Sequence, residues 1–227
     1  MKTNHSRNLK QTFAFTLVEM LVVIAVIAIL AGLLFPAFSS IKRQMTITKA
    51  KAELKAVAFL IDSYKSKKGF YPPDHVITLA PGGVNPVSNS LYFELSGVNN
   101  TALGFQTFDK AATITVGDCQ TYFGQGGILN CSKNGEDGGQ PATEFIKQLK
   151  PNQYFQIATG IRVLTCSILW PLDKGDIIAG APSANPWRYV STGATNNHDS
   201  YDLWVDIVIG DKTNRISNWD EKPQIVP

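Results

Sequence analysis

The sequence predicts an α+β protein in which one long N-terminal helix, membrane-spanning in its first half, packs on a C-terminal antiparallel β-sheet. Three features predict this fold: an early apolar run, a second helical stretch with an apolar stripe, and short β-branched and aromatic segments near the C-terminus. The chain of 227 residues is 44% hydrophobic, which excludes global disorder. We expect four parts, residues 1–14, 15–36, 37–68 and 69–227.

A short basic leader precedes the apolar run. The leader contains Lys2, Arg7 and Lys10 and no acidic residue. The run that follows, residues 15–35, has Glu19 as its only ionisable side chain. As a helix it would span roughly 30 Å, the thickness of the hydrocarbon core of a bilayer. The basic residues predict that the N-terminus stays in the cytoplasm and that the rest of the chain lies outside.

Three interpretations of this run are possible. A secretory signal peptide has a shorter apolar stretch and a small-residue cleavage site after it, whereas Pro36 and Phe38 follow here. A plain membrane anchor explains the length but not Glu19, because a carboxylate in lipid costs at least about 2.5 kcal/mol. Alternatively, Glu19 lies near enough to the cytoplasmic end to reach the lipid headgroups.

The segment Ala-Phe-Thr-Leu-Val-Glu, residues 14–19, follows the basic leader and opens the apolar run. Together these features resemble the processing signal of type IV prepilins. The resemblance implies cleavage between Ala14 and Phe15 by a prepilin peptidase, and N-methylation of Phe15. Glu19 would become the fifth mature residue, where the family has a glutamate, and Pro36 the twenty-second, where many members have proline. The family normally has Gly at the position of Ala14, and because both residues are small we expect cleavage to persist.

The same resemblance gives Glu19 a role in assembly. Cleavage would leave the ammonium group of Phe15 beside lipid as an uncompensated charge. If Glu19 of one subunit meets the amine of its neighbour, each group offsets the desolvation of the other. The implied partners are homologous subunits in a filament, the peptidase that is also the methyltransferase, and an assembly platform in the bacterial inner membrane.

A second helical stretch runs from Ser39 to Lys68 without Gly or Pro. Its apolar residues recur at helical spacing, which predicts that one face packs on the head; they are Ile47, Ala50, Leu54, Val57, Ile61 and Tyr64. Gly69 and two following prolines predict the end of the helix, and Pro36 predicts a kink within it. Residues 51–74 resemble the corresponding segment of the major pseudopilins of type II secretion.

The first part of the head is rich in Gly, Pro, Asn and Ser. Short helices are predicted at 89–96 and 143–149, each bounded by Gly or Pro. Cys119 and Cys131 flank a Gly-rich loop and could form a disulfide outside the cytoplasm, although sequence alone does not fix the pairing. Cys166 would then remain a small buried hydrophobic residue.

Strands are predicted in the last part of the chain, at 154–159, 162–170, 176–180, 187–192 and 201–209. Their short connections favour antiparallel pairing. The segments NPWRYVSTG, YDLWVDIVIGD and ISNW are similar to the closing strands of major pseudopilins, so the fold is expected to be pilin-like.

In that family a Gly- and Asp-rich loop between the closing strands binds calcium. The loop here, residues 210–215, is shorter and carries two basic side chains. Asp211, Asn214 and Ser217 are the candidate ligands, with Asp202 or Asp206 as further oxygen donors. Calcium needs six to eight oxygens, so an ordinary turn without a cofactor is the expectation and a calcium site the alternative.

No catalytic motif is present: the sequence has no HExxH, GxSxG, P-loop or strand-linked GxGxxG pattern, and we expect no enzyme. The leader accounts for the whole net charge of +3, because removing its three basic residues leaves 18 basic and 18 acidic side chains. No nucleic acid is expected as a partner. The resemblance to prepilins and major pseudopilins implies a structural filament subunit, a pseudopilin of type II secretion. The alternatives are a minor pilin for adhesion or DNA uptake, and a membrane-tethered binding domain that does not polymerise.

Overall fold

The computed structural model of the chain describes residues 15–77, 83–132 and 141–226. For residues 33–39 it describes the backbone alone, and the predicted leader with Ala14 lies outside the described residues. The chain divides into two compact units, residues 1–44 and residues 45–227.

The first element is helix α1, which comprises Leu17–Lys68 and is 52 residues long. It begins in the first unit and ends in the second. Gly69 ends it with a φ of 87°, a left-handed value that favours glycine, and its N–H donates to the carbonyl of Lys65 at 2.8 Å. The helix continues through position 36, and a bend at Pro36 stays a prediction.

The part of α1 in the second unit buries one face. The buried side chains on this face are Ile47, Ala50, Leu54, Ile61 and Tyr64. They recur every three or four residues, or across two turns, which places them on one side of a helix. They join the core of the C-terminal strands, and the hydroxyl of Tyr201 donates to the carbonyl of Ala58 at 3.2 Å. The predicted apolar stripe is confirmed as a core-facing surface.

Twelve short strands lie within the described residues. They are β1 (His75–Ile77), β2 (Gly83–Asn85), β3 (Val98–Thr101), β4 (Gly104–Thr107), β5 (Thr113–Ile114), β6 (Cys131–Ser132), β7 (Tyr154–Ala158), β8 (Ile161–Leu164), β9 (Arg188–Val190), β10 (Asp202–Ile209), β11 (Lys212–Ser217) and β12 (Gln224–Val226). Two four-stranded sheets have the orders β5-β4-β3-β6 and β12-β11-β10-β9, and two hairpins pair β1 with β2 and β7 with β8. All pairings are antiparallel except the parallel pair β3 and β6.

The predicted α+β class is therefore confirmed, with a long helix packed against antiparallel sheets. In the C-terminal sheet, Leu203, Val205 and Ile207 of β10 are fully buried in the core that α1 covers. Alternation along the strand places Trp204 and Asp206 on the opposite face. The opposite face carries the polar and charged side chains discussed below.

The head also contains α2 (Leu91–Ser96) and α3 (Val116–Phe123). The structure confirms the helix predicted at 89–96 over its last six residues. It contradicts the helix predicted at 143–149, where the chain is irregular and the N–H groups of Phe145 and Ile146 both donate to the carbonyl of Leu95. The segment packs on the end of α2, so these N–H groups bind the carbonyl of Leu95 and not carbonyls of a helix of their own.

Two strand predictions also differ from the structure. Residues 176–180 form bends and turns, and the strand predicted at 162–170 ends as β8 at Leu164. Beyond that point the N–H of Cys166 donates to the carbonyl of Asn185 and the N–H of Trp170 to that of Ser183. The backbones of the two arms of this loop therefore bind each other, and the side-chain amide of Asn185 also donates to the carbonyl of Asp206 in β10 at 2.9 Å.

A fully buried carboxylate, Glu94 of α2, connects α1 to the head. One of its oxygens accepts from the N–H of Leu129 at 2.7 Å. The other accepts from the N–H of Asn130 at 2.9 Å and from the hydroxyl of the buried Tyr64 at 2.8 Å. Complete burial raises the pKa of Glu94 above its usual value, although the hydrogen bonds and the charge of Lys68 oppose this shift.

Candidate functional site

The first turn of α1 contains a reciprocal capping arrangement. Thr16 precedes the helix, and its hydroxyl accepts a hydrogen bond from the N–H of Glu19 at 3.2 Å. The carboxylate of Glu19 accepts from the N–H and from the hydroxyl of Thr16, both at 2.8 Å. This Thr-x-x-Glu pattern is a capping box, which satisfies two N–H groups that the first turn leaves without helical partners.

Thr16 is a residue that our sequence analysis did not single out. Its signal was present, because Thr followed three residues later by Glu before an apolar run marks a helix N-terminus. The capping box holds the Glu19 side chain back over the start of the helix. Both Phe15 and Glu19 are exposed in the single chain.

The helix that follows this turn exposes apolar side chains in all directions. From Phe15 to Leu30 every residue is exposed, and Leu17 is 80% accessible. A helix that is apolar all round is buried in the functional state, either by protein or by lipid. Among the residues that the structure describes, no helix is both long and apolar enough to cross a membrane.

The candidate calcium ligands lie on and beside a tight hairpin. Ile209 pairs with Lys212, so Gly210 and Asp211 form a two-residue turn, and Gly210 has a φ of 61°. Asn214 is buried within β11 and donates its side-chain amide to the carbonyl of Lys212 at 3.0 Å. No group of three His, Cys, Asp or Glu residues in the described part of the chain is placed to hold a metal ion. Calcium binding through Asp211, Asn214 and Ser217 stays a prediction.

The two further carboxylates proposed as calcium ligands already accept hydrogen bonds. Asp202 accepts from the N–H groups of residues 195, 196 and 197 at 2.9–3.0 Å. Asp206 binds Arg215 through both of its oxygens, at 2.9 and 3.1 Å. Both carboxylates are therefore already engaged in hydrogen bonds within the head.

The cysteines occupy three different positions in the head. Cys119 is a buried thiol on α3, and its burial raises its pKa to about 12. Cys131 is half-buried on β6, and the predicted bond between Cys119 and Cys131 stays a prediction. Cys166 is buried as expected, and burial likewise raises its pKa to about 12.

Comparison with known proteins agrees with the features of the N-terminal turn and helix. Residues 9–35 match the prokaryotic N-terminal methylation motif. The chain is 40% identical over 63 residues to the type II secretion system core protein G of Pseudomonas aeruginosa. The matched stretch covers 28% of this chain and 44% of that relative, so the chain spans less than half of the relative's length. No solved structure matches the chain.

The motif and the fold together assign the class of protein. The motif contains Phe15 and also Thr16 and Glu19, which the capping box joins, and it covers much of the exposed apolar helix. The match to this motif supports a structural protein and not an enzyme. It is a prepilin-like protein that carries the N-terminal methylation motif, with partial homology to the type II secretion major pseudopilin.

Proposed function

We propose that the chain is a structural subunit of a type IV pilus-like filament, a pseudopilin of a type II secretion system. The observation that carries this proposal is the methylation motif at residues 9–35, which leads into a helix with apolar side chains exposed all round. The partial similarity to core protein G favours the type II secretion system over other pilus systems.

The proposed sequence of events begins in the inner membrane. The first half of α1 anchors the chain there, with the leader in the cytoplasm and the head outside. A prepilin peptidase then cuts between Ala14 and Phe15 and methylates the new amine. The membrane assembly platform finally moves the subunit into a filament, in which the apolar helices of homologous subunits bury one another.

Glu19 provides the specificity of the assembly step. Its carboxylate already lies over the first turn of α1, where it accepts two hydrogen bonds from Thr16. In the filament we propose that it pairs with the amine of Phe15 of a neighbouring subunit. Because an unpaired charge buried among apolar helices is costly, this pairing fixes the axial register of the incoming subunit.

The test is the substitution Glu19→Ala in the full chain, expressed with the cognate peptidase, assembly platform and ATPase. Breaking a buried ion pair costs about 3–5 kcal/mol, so we expect the yield of sheared, sedimented filaments to fall by about 100-fold or more. Membrane insertion and cleavage should be unchanged. Glu144→Ala removes the same charge from an exposed position of the head and serves as the matched control.

Equal filament yields for Glu19→Ala and the wild type would contradict the role of Glu19. A chain that is cleaved and inserted but never sediments with any assembly machinery would instead support the tethered binding domain.

A further inference from the structure

The outward face of the C-terminal sheet carries three polar side chains in one row. Trp204 of β10 lies directly opposite Arg188 of β9 on one side and opposite Ser217 of β11 on the other. Directly paired residues of neighbouring strands project to the same face with their Cβ atoms about 5 Å apart. We call Arg188, Trp204 and Ser217 the donor row.

Each member of the donor row has a buried polar atom without a hydrogen-bond partner. These atoms are Nη1 of Arg188, Nε1 of Trp204 and Oγ of Ser217. They are three of the six such side-chain atoms in the described ranges, and they fall at consecutive paired positions of one sheet. Buried donors are nearly always satisfied in native proteins, so such clustering indicates a missing acceptor.

The charges beside the donor row do not balance. Asp206 lies on the same face of β10 as Trp204, and both of its oxygens bind Arg215 at 2.9 and 3.1 Å, whereas Asp202 on this face accepts from residues 195–197. Nη2 of Arg188 lies 3.7 Å from Asp206, which is too long for a hydrogen bond. Two guanidinium groups therefore share one carboxylate, and Arg188 is only 9% exposed. A water molecule would satisfy the donors, but it would leave this positive charge uncompensated.

The donor row is covered by side chains that lie closer to the surface. The guanidinium of Arg215 lies over the Trp204 ring at 5.6 Å, and its side chain is 31% exposed. Trp219 packs edge-on against Trp204, with the ring centroids 5.6 Å apart. Arg215 and Trp219 must move aside for a ligand to reach the row.

We propose that the donor row binds a small oxyanion, a carboxylate or a phosphate, with Arg188 as the charge partner and Trp204 and Ser217 as hydrogen-bond donors. The anion is either free in solution or the carboxylate side chain of a second copy of this chain. Ser217 is also one of the candidate calcium ligands. The net positive charge beside it attracts anions and repels calcium, so anion binding at this residue disfavours calcium binding there.

The first measurement is the melting temperature of the full chain in detergent, in chloride, acetate or phosphate at equal ionic strength. At an anion concentration ten times Kd, we expect acetate or phosphate to raise the melting temperature by about 3–6 °C relative to chloride. Arg188→Met keeps the length of the side chain and removes its charge. This variant should lose the anion effect, and in chloride it should melt no lower than the wild type, because an uncompensated buried charge is gone.

The second measurement does not depend on the stability of a variant. The indole N–H resonance of Trp204 in the wild-type chain, assigned with Trp204→Phe, reports directly on its hydrogen bond. A shift on addition of acetate or phosphate identifies a free anion as the ligand. A shift with protein concentration in chloride alone identifies a carboxylate of a second copy. A resonance that moves with neither, or an equal rise in melting temperature for Arg188→Met, would overturn the proposal.

Discussion

Two glutamates show how differently the two units of this chain use a carboxylate. Glu19 is exposed, and its described hydrogen bonds are all to Thr16 within the first turn of α1. Glu94 is completely buried, and it binds Tyr64 of α1 and the N–H groups of residues 129 and 130. The bonds of Glu94 join segments that are far apart in the chain. Loss of Glu94 should therefore destabilise the head, whereas loss of Glu19 should leave the stability of the head unchanged and impair assembly.

The largest effect on stability is expected for Glu94→Ala. The substitution leaves three donors without an acceptor, two of them on the buried residues Tyr64 and Asn130, and creates a cavity beside Tyr64. We expect the free energy of unfolding to fall by about 3–5 kcal/mol, measured by denaturant unfolding of the full chain in detergent. Glu94→Gln should lose less, because it keeps the shape and one acceptor.

Glu144→Ala is again the matched control, since Glu144 is exposed on the head. Its free energy of unfolding should stay within about 0.5 kcal/mol of the wild type. A similarly small change for Glu94→Ala would show that the buried hydrogen bonds do not hold the head together.

A smaller loss is expected for Tyr64→Phe. The substitution removes only the hydroxyl that donates to Glu94 at 2.8 Å and keeps the ring that packs near Phe145. A hydrogen bond to a charged group contributes about 1.5–3 kcal/mol, and we expect a loss in that range. If Glu94→Ala is already present, adding Tyr64→Phe should cost much less, and a double-mutant cycle measures this coupling. Additive losses would mean that the two side chains act independently.

The elements that could be predicted from the sequence are those whose buried residues recur with the period of a helix or a strand. The stripe from Ile47 to Tyr64 and the alternation in β10 each repeat with the period of their element, so both could be assigned from spacing. The hydrogen bonds of Glu94 could not be predicted in this way. Their donors at residues 129 and 130 lie 35 and 36 positions away, and no local pattern distinguishes a buried glutamate from an exposed one on a short helix.

The same distinction applies to the candidate site. Glu19 was identified from a resemblance carried by a few consecutive residues, and Thr16 could have been identified from the capping pattern. The donor row joins Arg188, Trp204 and Ser217 from three strands, so only the pairing register brings it together. The segment at 143–149 was predicted wrongly because the prolines that bound it are visible in the sequence, whereas the acceptor of its N–H groups, the carbonyl of Leu95, is not.

Glu94 should also make the stability of the head depend on pH. Burial raises the pKa of Glu94 in the folded head above the usual value of 4.5. The folded state therefore binds the proton more tightly than the unfolded state, so the stabilisation from this group is complete below about pH 4.5 and is lost as pH rises through the folded pKa. On acidification from pH 7 towards pH 5, we expect the melting temperature of the wild type to rise relative to that of Glu94→Gln, which cannot titrate. Parallel pH profiles of the two chains would contradict a raised pKa.

The smallest effect on stability is expected in the first turn of α1, where Thr16 and Glu19 form the capping box. Thr16→Val keeps the shape of the side chain but removes the hydroxyl that accepts from the N–H of Glu19 and donates to its carboxylate. Loss of an N-cap costs about 1 kcal/mol of local helix stability, so amide exchange in the first turn of α1 should accelerate by about fivefold. Thr16→Ser keeps the hydroxyl and should exchange like the wild type. The melting temperature of the head should be unchanged in both variants, because the described bonds of Thr16 and Glu19 lie within the first turn. A lower melting temperature in Thr16→Val would show that the start of α1 and the head are coupled, and would remove the distinction between the two glutamates.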